Sequence, residues 1–173
     1  MLGSDYAGQD CSIARALEVV GERWTLLIVR DAFLGVRRFN DFQAHLDIPR
    51  AVLADRLRHL VEASVLERAP DPDDGRRTVY RLTPAGIELW PVLFALLTWG
   101  GRHGRRPATR RRFQHATCGG ELDAHGRCPR CGVVPGAADV ITMRVPGPEQ
   151  REDPVSVALR APRRLLAPLE HAA

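Results

Sequence analysis

The sequence predicts a mainly α-helical α+β fold, and three features of the chain support this. Apolar residues recur at three- and four-residue intervals through most of the first hundred positions, as in amphipathic helices. Two short runs of strand-forming residues flank a polar, glycine-containing loop at 71–77, as in a β-hairpin. Three of the four cysteines lie between positions 118 and 131, which indicates a small, separately stabilised unit after the helices.

Length and composition agree with a globular protein. The 173 residues suit one domain with an appendage, and 45% hydrophobic with 27% charged residues allows a sizeable core. The apolar run at 89–99 is too short to cross a bilayer, and the N-terminus shows no signal-peptide pattern. We therefore expect a cytoplasmic protein without membrane contact, where clustered cysteines bind metal more often than they form disulfides.

Charge is unevenly distributed along the chain. All 25 basic residues are arginine, and the formal net charge is +4. Residues 1–100 carry a net charge of −2, whereas residues 101–112 carry +6. Arginine suits phosphate and guanine because its planar guanidinium can make two parallel hydrogen bonds. A genome rich in arginine codons would give the same composition, so segment 101–112 is either a solvated linker or a phosphate-binding stretch.

The first half of the chain predicts four helices. Apolar spacing over 12–34 gives two helices that separate near Gly21 and end near Gly35. A brief helix over 40–46 follows, with Asn40 or Asp41 as its cap. The fourth, at about 50–63, has an apolar face of Leu53, Leu57, Leu60 and Val61, and an outer face of Arg50, Ala51, Ala54, Asp55 and Arg58.

A hairpin completes this unit. Strand-type runs at 65–70 and 78–83 enclose a loop with arginines at its tip, and we place a wing at 70–78. Short helix, turn, amphipathic helix and hairpin is the order of a winged helix-turn-helix. In that fold the second helix enters the major groove and the wing contacts the DNA backbone or minor groove. The candidate DNA contacts are Arg38, Arg50, Ala51, Ala54, Arg58, Arg76 and Arg77, and each could instead be a solvated surface residue.

Residues 11–101 resemble the HxlR-type winged-helix transcriptional regulators, relatives of the MarR group. The resemblance rests on three stretches: GERWTLLIVRDAFLGVRRFNDF, IPRAVLADRLRHLVEASVLER and DGRRTVYRLTPAGIELWPVLFALLTWG. It implies a homodimer that binds double-stranded DNA at a pseudo-palindromic operator, and a small-molecule effector is a further candidate partner. The sequence departs from the family at Pro49, where a serine cap is usual and Asp47 could substitute. It departs again at Ser64, where glycine is usual and some strain is expected.

The helix that follows the hairpin indicates a dimer. Thr83 is a suitable N-cap and Pro84 a suitable first residue, while Pro91 would kink the helix or mark its regular start. The helix is apolar on nearly every side, so a second subunit would cover part of it. A central core helix within one chain is the alternative. Its apolar residues are Leu89, Trp90, Val92, Leu93, Phe94, Leu96, Leu97 and Trp99.

The cysteine cluster has the spacing of a zinc ribbon. His115, Cys118, Cys128 and Cys131 follow the pattern H-x2-C-x9-C-x2-C, which suits a tetrahedral structural zinc. His125 is the alternative histidine ligand, and a disulfide or free thiols are the alternative to metal. The resemblance supports zinc, since some HxlR-type proteins carry a similar C-terminal extension. Four protein ligands leave no open position for a substrate, and no catalytic motif occurs elsewhere, so we expect no enzyme.

These features predict three segments: a winged helix-turn-helix domain with its dimerisation helix at 1–105, a zinc-ribbon-like extension at 106–145, and a proline-rich tail with short helices at 146–173. The alternative function is a protein-interaction module whose winged helix no longer binds DNA. Its main support is the negative charge of residues 1–100. Cys11 precedes the first helix, where backbone N–H groups favour a thiolate, and is a candidate redox sensor. A small buried apolar role is the alternative for this cysteine.

Overall fold

A computed structural model of the chain describes residues 6–104, 111–145 and 151–170. Part of the arginine-rich segment 101–112 lies outside these ranges. The helices are α1 (Ser12–Val20), α2 (Thr25–Phe33), α3 (Phe39–Leu46), α4 (Arg50–Glu62), α5 (Pro84–Ile87), α6 (Trp90–His103) and α7 (Pro154–Ala158), with a 3-10 turn at Ala137–Asp139. The strands are β1 (Leu66–Pro70), β2 (Thr78–Leu82), β3 (Arg111–His115), β4 (Val140–Arg144) and β5 (Arg163–Arg164).

The predicted fold class is confirmed. Helices α3 and α4 form the helix-turn-helix, and β1 and β2 pair antiparallel as the wing, from Leu66 opposite Leu82 to Pro70 opposite Thr78. A single bridge between Arg38 and Val79 attaches the start of α3 to the wing. Because Val79 pairs with Ala69, next to the loop, the hairpin is fixed to the helix-turn-helix near its loop end.

Helix ends in this region differ from the predicted caps. Helix α3 begins at Phe39, so neither Asn40 nor Asp41 caps it. Asp47 adopts a left-handed conformation, with φ of 53°, and ends α3 instead of capping α4. Pro49 precedes α4 without a side-chain cap, as proline requires. The strain expected after α4 is confirmed, because Ser64 has φ of 56°, a region that favours glycine.

The core forms where α2, α3 and α4 meet. Ile28 and Phe33 of α2 are buried against Phe42 of α3. Leu53, Leu57 and Leu60 of α4 are fully buried in the same cluster. Burial of a leucine side chain contributes about 1.5–3 kcal/mol, so this row of three fixes the orientation of α4. The opposite face of α4 is left for solvent or a partner.

The helix after the wing is divided. The Thr83 hydroxyl accepts a hydrogen bond from the Gly86 amide at 3.0 Å, which confirms the predicted cap. Helix α5 then stops, and α6 begins at Trp90 with Pro91 in its first turn. Proline suits this position because the first turn lacks an internal acceptor for its N–H. No helix in the described part of the chain is long and apolar enough to span a membrane.

A second, three-stranded sheet carries the cysteine cluster and packs on α6. The strand order is β3-β4-β5, with His115 of β3 opposite Val140 of β4. Phe113 of β3 contacts Trp90 with ring centroids 5.6 Å apart and Phe94 at 5.4 Å. Edge-on aromatic pairs of this kind add about 0.5–1.5 kcal/mol beyond burial. The sheet is thus joined to the first residues of α6.

The tail returns to the helix-turn-helix domain. Helix α7 packs against α3, and β5 adds to the cysteine-bearing sheet. The amides of Leu166 and Leu169 donate to the carbonyls of Phe33 and Gly35 at 2.8 and 2.9 Å. Gly35 has φ of 88°, and a side chain there would collide with the Ala167 carbonyl. The division into segments 1–105, 106–145 and 146–173 stays a prediction.

Candidate DNA-binding surface and metal centre

Four of the predicted DNA contacts share the outer face of α4. Arg50, Ala51, Ala54 and Arg58 are exposed, while the leucines on the opposite face are buried. The first turn of the helix carries no acidic residue. A helix that presents small and basic side chains in this way can approach the floor of a groove closely, because alanine leaves room for base edges.

Arg50 is oriented by an aromatic ring. Its guanidinium carbon lies 4.8 Å from the centre of the Phe39 ring. Such cation–π contacts contribute about 0.5–1 kcal/mol at exposed sites. Because Phe39 begins α3 and Arg50 begins α4, the contact connects the starts of the two helices of the helix-turn-helix.

The exposed Arg58 side chain is held by an ion pair with another residue of its own helix. Asp55 forms ion pairs with both Arg56 and Arg58. The hydrogen bond from Arg56 is the main cause that lowers the pKa of Asp55, and the charges of Arg56 and Arg58 add to it. Arg56 is thus paired within the chain and is not a free charge on this helix. Arg58 shares this carboxylate, which its spacing of three residues from Asp55 could have indicated.

The wing is braced by acidic residues. Arg38 donates to the carboxylates of Asp71 at 2.7 Å and Asp73 at 3.1 Å. The Asp71 carboxylate is buried, and the hydrogen bond from Arg38 lowers its pKa. Arg77 lies 3.1 Å from Asp74 in the same loop. Acidic residues of the wing loop therefore orient Arg38 and Arg77.

These contacts give the three predicted wing-side arginines different surroundings. Arg38 lies beside the wing loop, where its ion pairs occupy it. Arg77 is paired with Asp74. Arg76 is exposed at the wing tip, and its backbone amide donates to Asp74.

The metal-ligand candidates come together in one cluster. The ligand atoms of His115, Cys118, Cys128 and Cys131 all lie within 4.8 Å of one another. The Cys118 sulfur is 3.4 Å from the Cys128 sulfur and 3.8 Å from that of Cys131. His115 Nδ1 is 3.2 Å from the Cys131 sulfur and 3.4 Å from that of Cys118. His125 is not part of this group.

The sulfur distances exclude the disulfide alternative in this structure. All four cysteines are free, and a disulfide requires sulfurs about 2.05 Å apart. In a tetrahedron with metal–sulfur bonds of about 2.3 Å and metal–nitrogen bonds of about 2.0 Å, sulfurs lie ~3.8 Å apart and sulfur and nitrogen ~3.5 Å. The observed separations are close to these values. The cluster therefore fits a tetrahedral metal ion without rearrangement of the chain.

The backbone around the cluster favours thiolates. Burial opposes ionisation of Cys128, but the amides of Cys131 and Arg130 and the thiols of Cys118 and Cys131 lower its pKa to about 6. For Cys131 the Val133 amide favours ionisation, yet burial and the neighbouring sulfurs outweigh it and raise the pKa. The Cys128 thiol thus ionises more readily than that of Cys131, and a bound cation would favour the thiolate form of both ligands.

A glycine makes room for the sulfurs. A Cβ atom on Gly120 would lie 2.5 Å from the Cys128 sulfur and 2.9 Å from the Arg130 Cβ. Gly119 and Gly132, which follow Cys118 and Cys131, have φ of 70° and 73°. The two short turns that carry the ligands therefore depend on glycine. The sequence shows that glycines are present at these positions, but not that their backbone conformation or lack of a side chain is required.

Cys11 lies far from this cluster in the sequence and has a different environment. It occupies the N-cap position of α1 and is exposed. The backbone amides of Ala14 and Ile13, at the start of the helix, lower the pKa of its thiol. The buried apolar role that was the alternative for Cys11 is therefore wrong.

A helix-turn-helix followed by a β-hairpin wing, with basic and small residues on the outer face of its second helix, defines a winged-helix DNA-binding regulator. Residues 19–107 match the HxlR-like helix-turn-helix family. The chain belongs to that family, as the resemblance in its sequence predicted.

Relatives support this assignment. A protein of Mycobacterium tuberculosis named as an HTH-type transcriptional regulator is 44% identical over 137 residues, which cover 79% of this chain and 87% of the relative. A stretch of 137 residues cannot end before position 137, so the similarity extends past Cys131. The crystal structure of PA1607, a transcription-factor candidate, is 42% identical with a TM-score of 0.54, and covers 58% of this chain and 70% of that one.

One further structure supports the fold. The oxidised form of the redox regulator HypR has a TM-score of 0.51 and 24% identity. The match covers 56% of this chain and all of the HypR chain. HypR supports the fold alone, whereas the family match and the named relative show that the chain is a transcriptional regulator with a helix-turn-helix DNA-binding domain.

Proposed function

We propose that this regulator binds a pseudo-palindromic operator as a homodimer, with recognition helix 50–63 in the major groove and wing 70–78 on the backbone or minor groove. The observation that carries this proposal is the outer face of α4, where Arg50, Ala51 and Ala54 are exposed beside one another. Residues at the start of a recognition helix contact base edges in this fold. Arg76 at the wing tip supplies a charge for phosphate.

Exposed apolar side chains support the homodimer. Ile13 and Leu17 of α1 are 69% and 42% exposed. Val92, Leu96 and Trp99 of α6 are 49%, 46% and 63% exposed. Exposure of large apolar side chains to water is unfavourable. Because α1 and α6 both expose such side chains, they suit an interface with a second copy of the chain. The inner face of α6 serves the core of its own domain through Trp90 and Phe94.

Zinc is the metal that we propose for the histidine and cysteine cluster. Three sulfurs and one imidazole nitrogen are a ligand set that zinc prefers, and four protein ligands are typical of a structural site. Cys118 and Cys128 belong to different turns, so one ion would join them. The bound ion would stabilise the sheet that packs on α6 through Phe113.

The cellular location and the lack of enzymatic activity are proposed because the chain is a DNA-binding regulator. We propose that the protein acts in the cytoplasm, where a bacterial chromosome lies, and that it is not an enzyme, since its relatives are named as regulators. A small-molecule effector stays a prediction. The rival interpretation as an interaction module without DNA binding is less well supported, because the exposed face of α4 keeps its basic and small residues.

Fluorescence anisotropy tests the proposal. The full chain is titrated with labelled DNA from the region upstream of its own gene, at several salt concentrations. We expect saturable binding with a Kd that rises about 10³–10⁵-fold between 50 and 200 mM salt, as for a protein that makes about 6–10 phosphate contacts. A scrambled duplex of the same length should bind far more weakly. Equal, weak affinity for both duplexes would contradict operator recognition and favour the interaction module.

A further inference from the structure

An acidic residue lies in the middle of the outer face of α4. Ala51, Asp55, Arg58 and Glu62 follow one another at intervals of four, three and four residues, so they lie along one side of the helix. That side is opposite the buried leucines. Ala51 and Arg58 are exposed, and the Asp55 side chain is 41% exposed between them. A carboxylate at this place repels the phosphates of any duplex that approaches, so Asp55 opposes binding to DNA of arbitrary sequence.

The Asp55 carboxylate has two arginine partners, which differ in exposure. Its Oδ1 atom pairs with Nη2 of Arg58, and its Oδ2 atom pairs with Nη2 of Arg56. The Arg58 side chain is 61% exposed, whereas that of Arg56 is 21% exposed and lines a cleft together with Trp24 and Val52. The carboxylate is thus held on one side by a largely buried arginine, and on the other side it holds an exposed one.

The pair of Asp55 with Arg58 contributes little to the stability of the fold. Exposed ion pairs are weak, because water screens the charges and because ordering two long side chains costs entropy. The buried row of Leu53, Leu57 and Leu60 already orients α4 in the domain. The main consequence of the pair is therefore the orientation of the Arg58 guanidinium on the outer face.

An Arg58 side chain held in this way can still contact a base. Asp55 contacts one of its nitrogens, Nη2, and a guanidinium carries five N–H donors. The remaining donors can reach O6 and N7 of guanine, the acceptors that arginine recognises in the major groove. A side chain that is oriented before binding loses less entropy when it makes such a contact. Because Asp55 shares its donors, Arg58 should contribute less to affinity than Arg50 and more to discrimination between sequences.

We propose that Asp55 determines the sequence specificity of this regulator: it positions Arg58 toward a guanine base and keeps Arg56 and Arg58 from binding the phosphates of other sequences. The inference rests on the proposed function, in which α4 lies in the major groove. Asp55 is a positioning residue, because it acts through Arg58 and not by contact with a base of its own. Loss of its carboxylate therefore makes binding to arbitrary DNA tighter and recognition of the operator less selective.

Anisotropy titrations of the full chain with the upstream duplex and the scrambled duplex test this role. In Asp55→Asn the scrambled duplex should bind more tightly, and its Kd divided by that of the upstream duplex should fall about fivefold or more, the lower end of the discrimination that one bidentate arginine–guanine pair provides. The slope of log K against log salt should steepen by ~0.9 for each arginine that gains a phosphate. Asp55→Glu keeps a carboxylate three residues before Arg58 and should restore most of the ratio.

The matched control is Glu22→Gln. Glu22 lines the same cleft as Asp55, is 64% exposed and lies 3.7 Å from Arg56. The change therefore removes one negative charge from the same region and leaves the pair of Asp55 with Arg58 in place. It should leave the ratio of the two Kd values unchanged. An equal fall of the ratio in Glu22→Gln and Asp55→Asn would show a general effect of charge and would overturn the proposal.

The Arg58→Ala background tests whether Asp55 acts through Arg58. In that background Asp55→Asn should not lower the ratio further. A further fall of the same size would mean that the carboxylate contacts DNA by itself, and the positioning role would be wrong. An unchanged ratio in Asp55→Asn alone would overturn this inference and leave operator recognition intact, whereas a wild type that does not prefer the upstream duplex would overturn both.

Discussion

The guanidinium of Arg38 donates to the buried carboxylate of Asp71 beside the wing loop, with Nε and Oδ2 2.7 Å apart. Arg38 precedes α3, and Asp71 begins the loop between β1 and β2. The Asp73 amide also donates to Asp71, at 3.0 Å. One carboxylate therefore fixes the wing loop to the helix-turn-helix.

We predict that Asp71→Asn frees the wing without unfolding the domain. The amide cannot keep the charge-assisted bond to Arg38, so the loop at 71–77 should open more often. Hydrogen exchange with mass spectrometry should show faster exchange in this loop and unchanged exchange in α2. Asp73→Asn is the control, because the Asp73 side chain is 82% exposed and its bond to Arg38 is longer. Equal effects of both changes would contradict the special role of Asp71.

The ion pair of Arg38 with Asp71 also predicts that opening of the wing loop depends on pH. The Arg38 hydrogen bond holds the pKa of Asp71 below its ordinary value of about 3.9. A lowered folded-state pKa contributes stability that is fully present above the unfolded value and is lost as the pH falls through the folded value. Wing-loop exchange, corrected for its intrinsic pH dependence, should therefore stay slow above about pH 5 and increase below about pH 4. In Asp71→Asn this transition should be absent.

We predict that Arg50→Ala weakens operator binding more than Arg58→Ala does. Arg50 is oriented by the Phe39 ring at the start of α4, whereas Arg58 already pairs with Asp55. Loss of a good base contact costs about 1–3 kcal/mol, or roughly five- to 150-fold in Kd. Loss of a shared, exposed ion pair should change the melting temperature little. Anisotropy titrations of both variants provide the measurement, and wild-type affinity in both would mean that the recognition helix is misplaced.

We predict that Leu96→Glu converts the protein to a monomer at micromolar concentration. Leu96 is 46% exposed on α6, where a charge would be buried in the proposed interface without a partner. Multi-angle light scattering should report the mass of one chain for this variant and of two for the wild type. Val157→Glu is the control, since Val157 is 42% exposed on α7 and should leave the dimer intact. A monomeric wild type would contradict the homodimer.

We predict that Gly120→Ala releases the metal. The added Cβ would lie 2.5 Å from the Cys128 sulfur, so the turn must shift and the ligand geometry is lost. Elemental analysis of the purified wild type should give about one zinc per chain, and the variant should hold markedly less. Gly136→Ala is a matched control because nothing lies within 4 Å of its Cβ position. Cys118→Ser should also lose zinc, and Cys11→Ser should retain it.

Periodicity and motif spacing predicted most of the fold. The spacing of the leucines predicts the buried face of α4. Thr83 followed by Pro84 predicts the start of α5. Both predictions depend only on residues that are close together in the sequence. The H-x2-C and C-x2-C spacings likewise predicted the cluster of His115 with the three cysteines. Such features depend on neighbouring residues in the chain, which a sequence displays directly.

Contacts between distant residues could not be predicted in this way. Asp31 is fully buried, where it accepts hydrogen bonds from Arg30 and contacts His45 at 2.7 Å, yet nothing near it in the sequence marks it as buried. The bond of Arg37 to the Leu166 carbonyl spans 129 positions. The Asp47 cap expected for α4 failed for a related reason: the turn between the helices uses Asp47 in a left-handed conformation to end α3.

Cys11 provides the last prediction, which concerns redox sensing. Its thiol is exposed at the start of α1, where the Ala14 and Ile13 amides lower its pKa, so it should react faster than an ordinary thiol. We predict that diamide oxidises two Cys11 thiols, one from each subunit, to a disulfide; the two thiols lose two protons and two electrons, and diamide is reduced to the hydrazine. Release from operator DNA should follow in the wild type and be lost in Cys11→Ser. Zinc content is monitored alongside, because oxidation of the ribbon cysteines would also release DNA but would release metal with it. Equal release in both proteins, with zinc retained, would remove Cys11 from the mechanism.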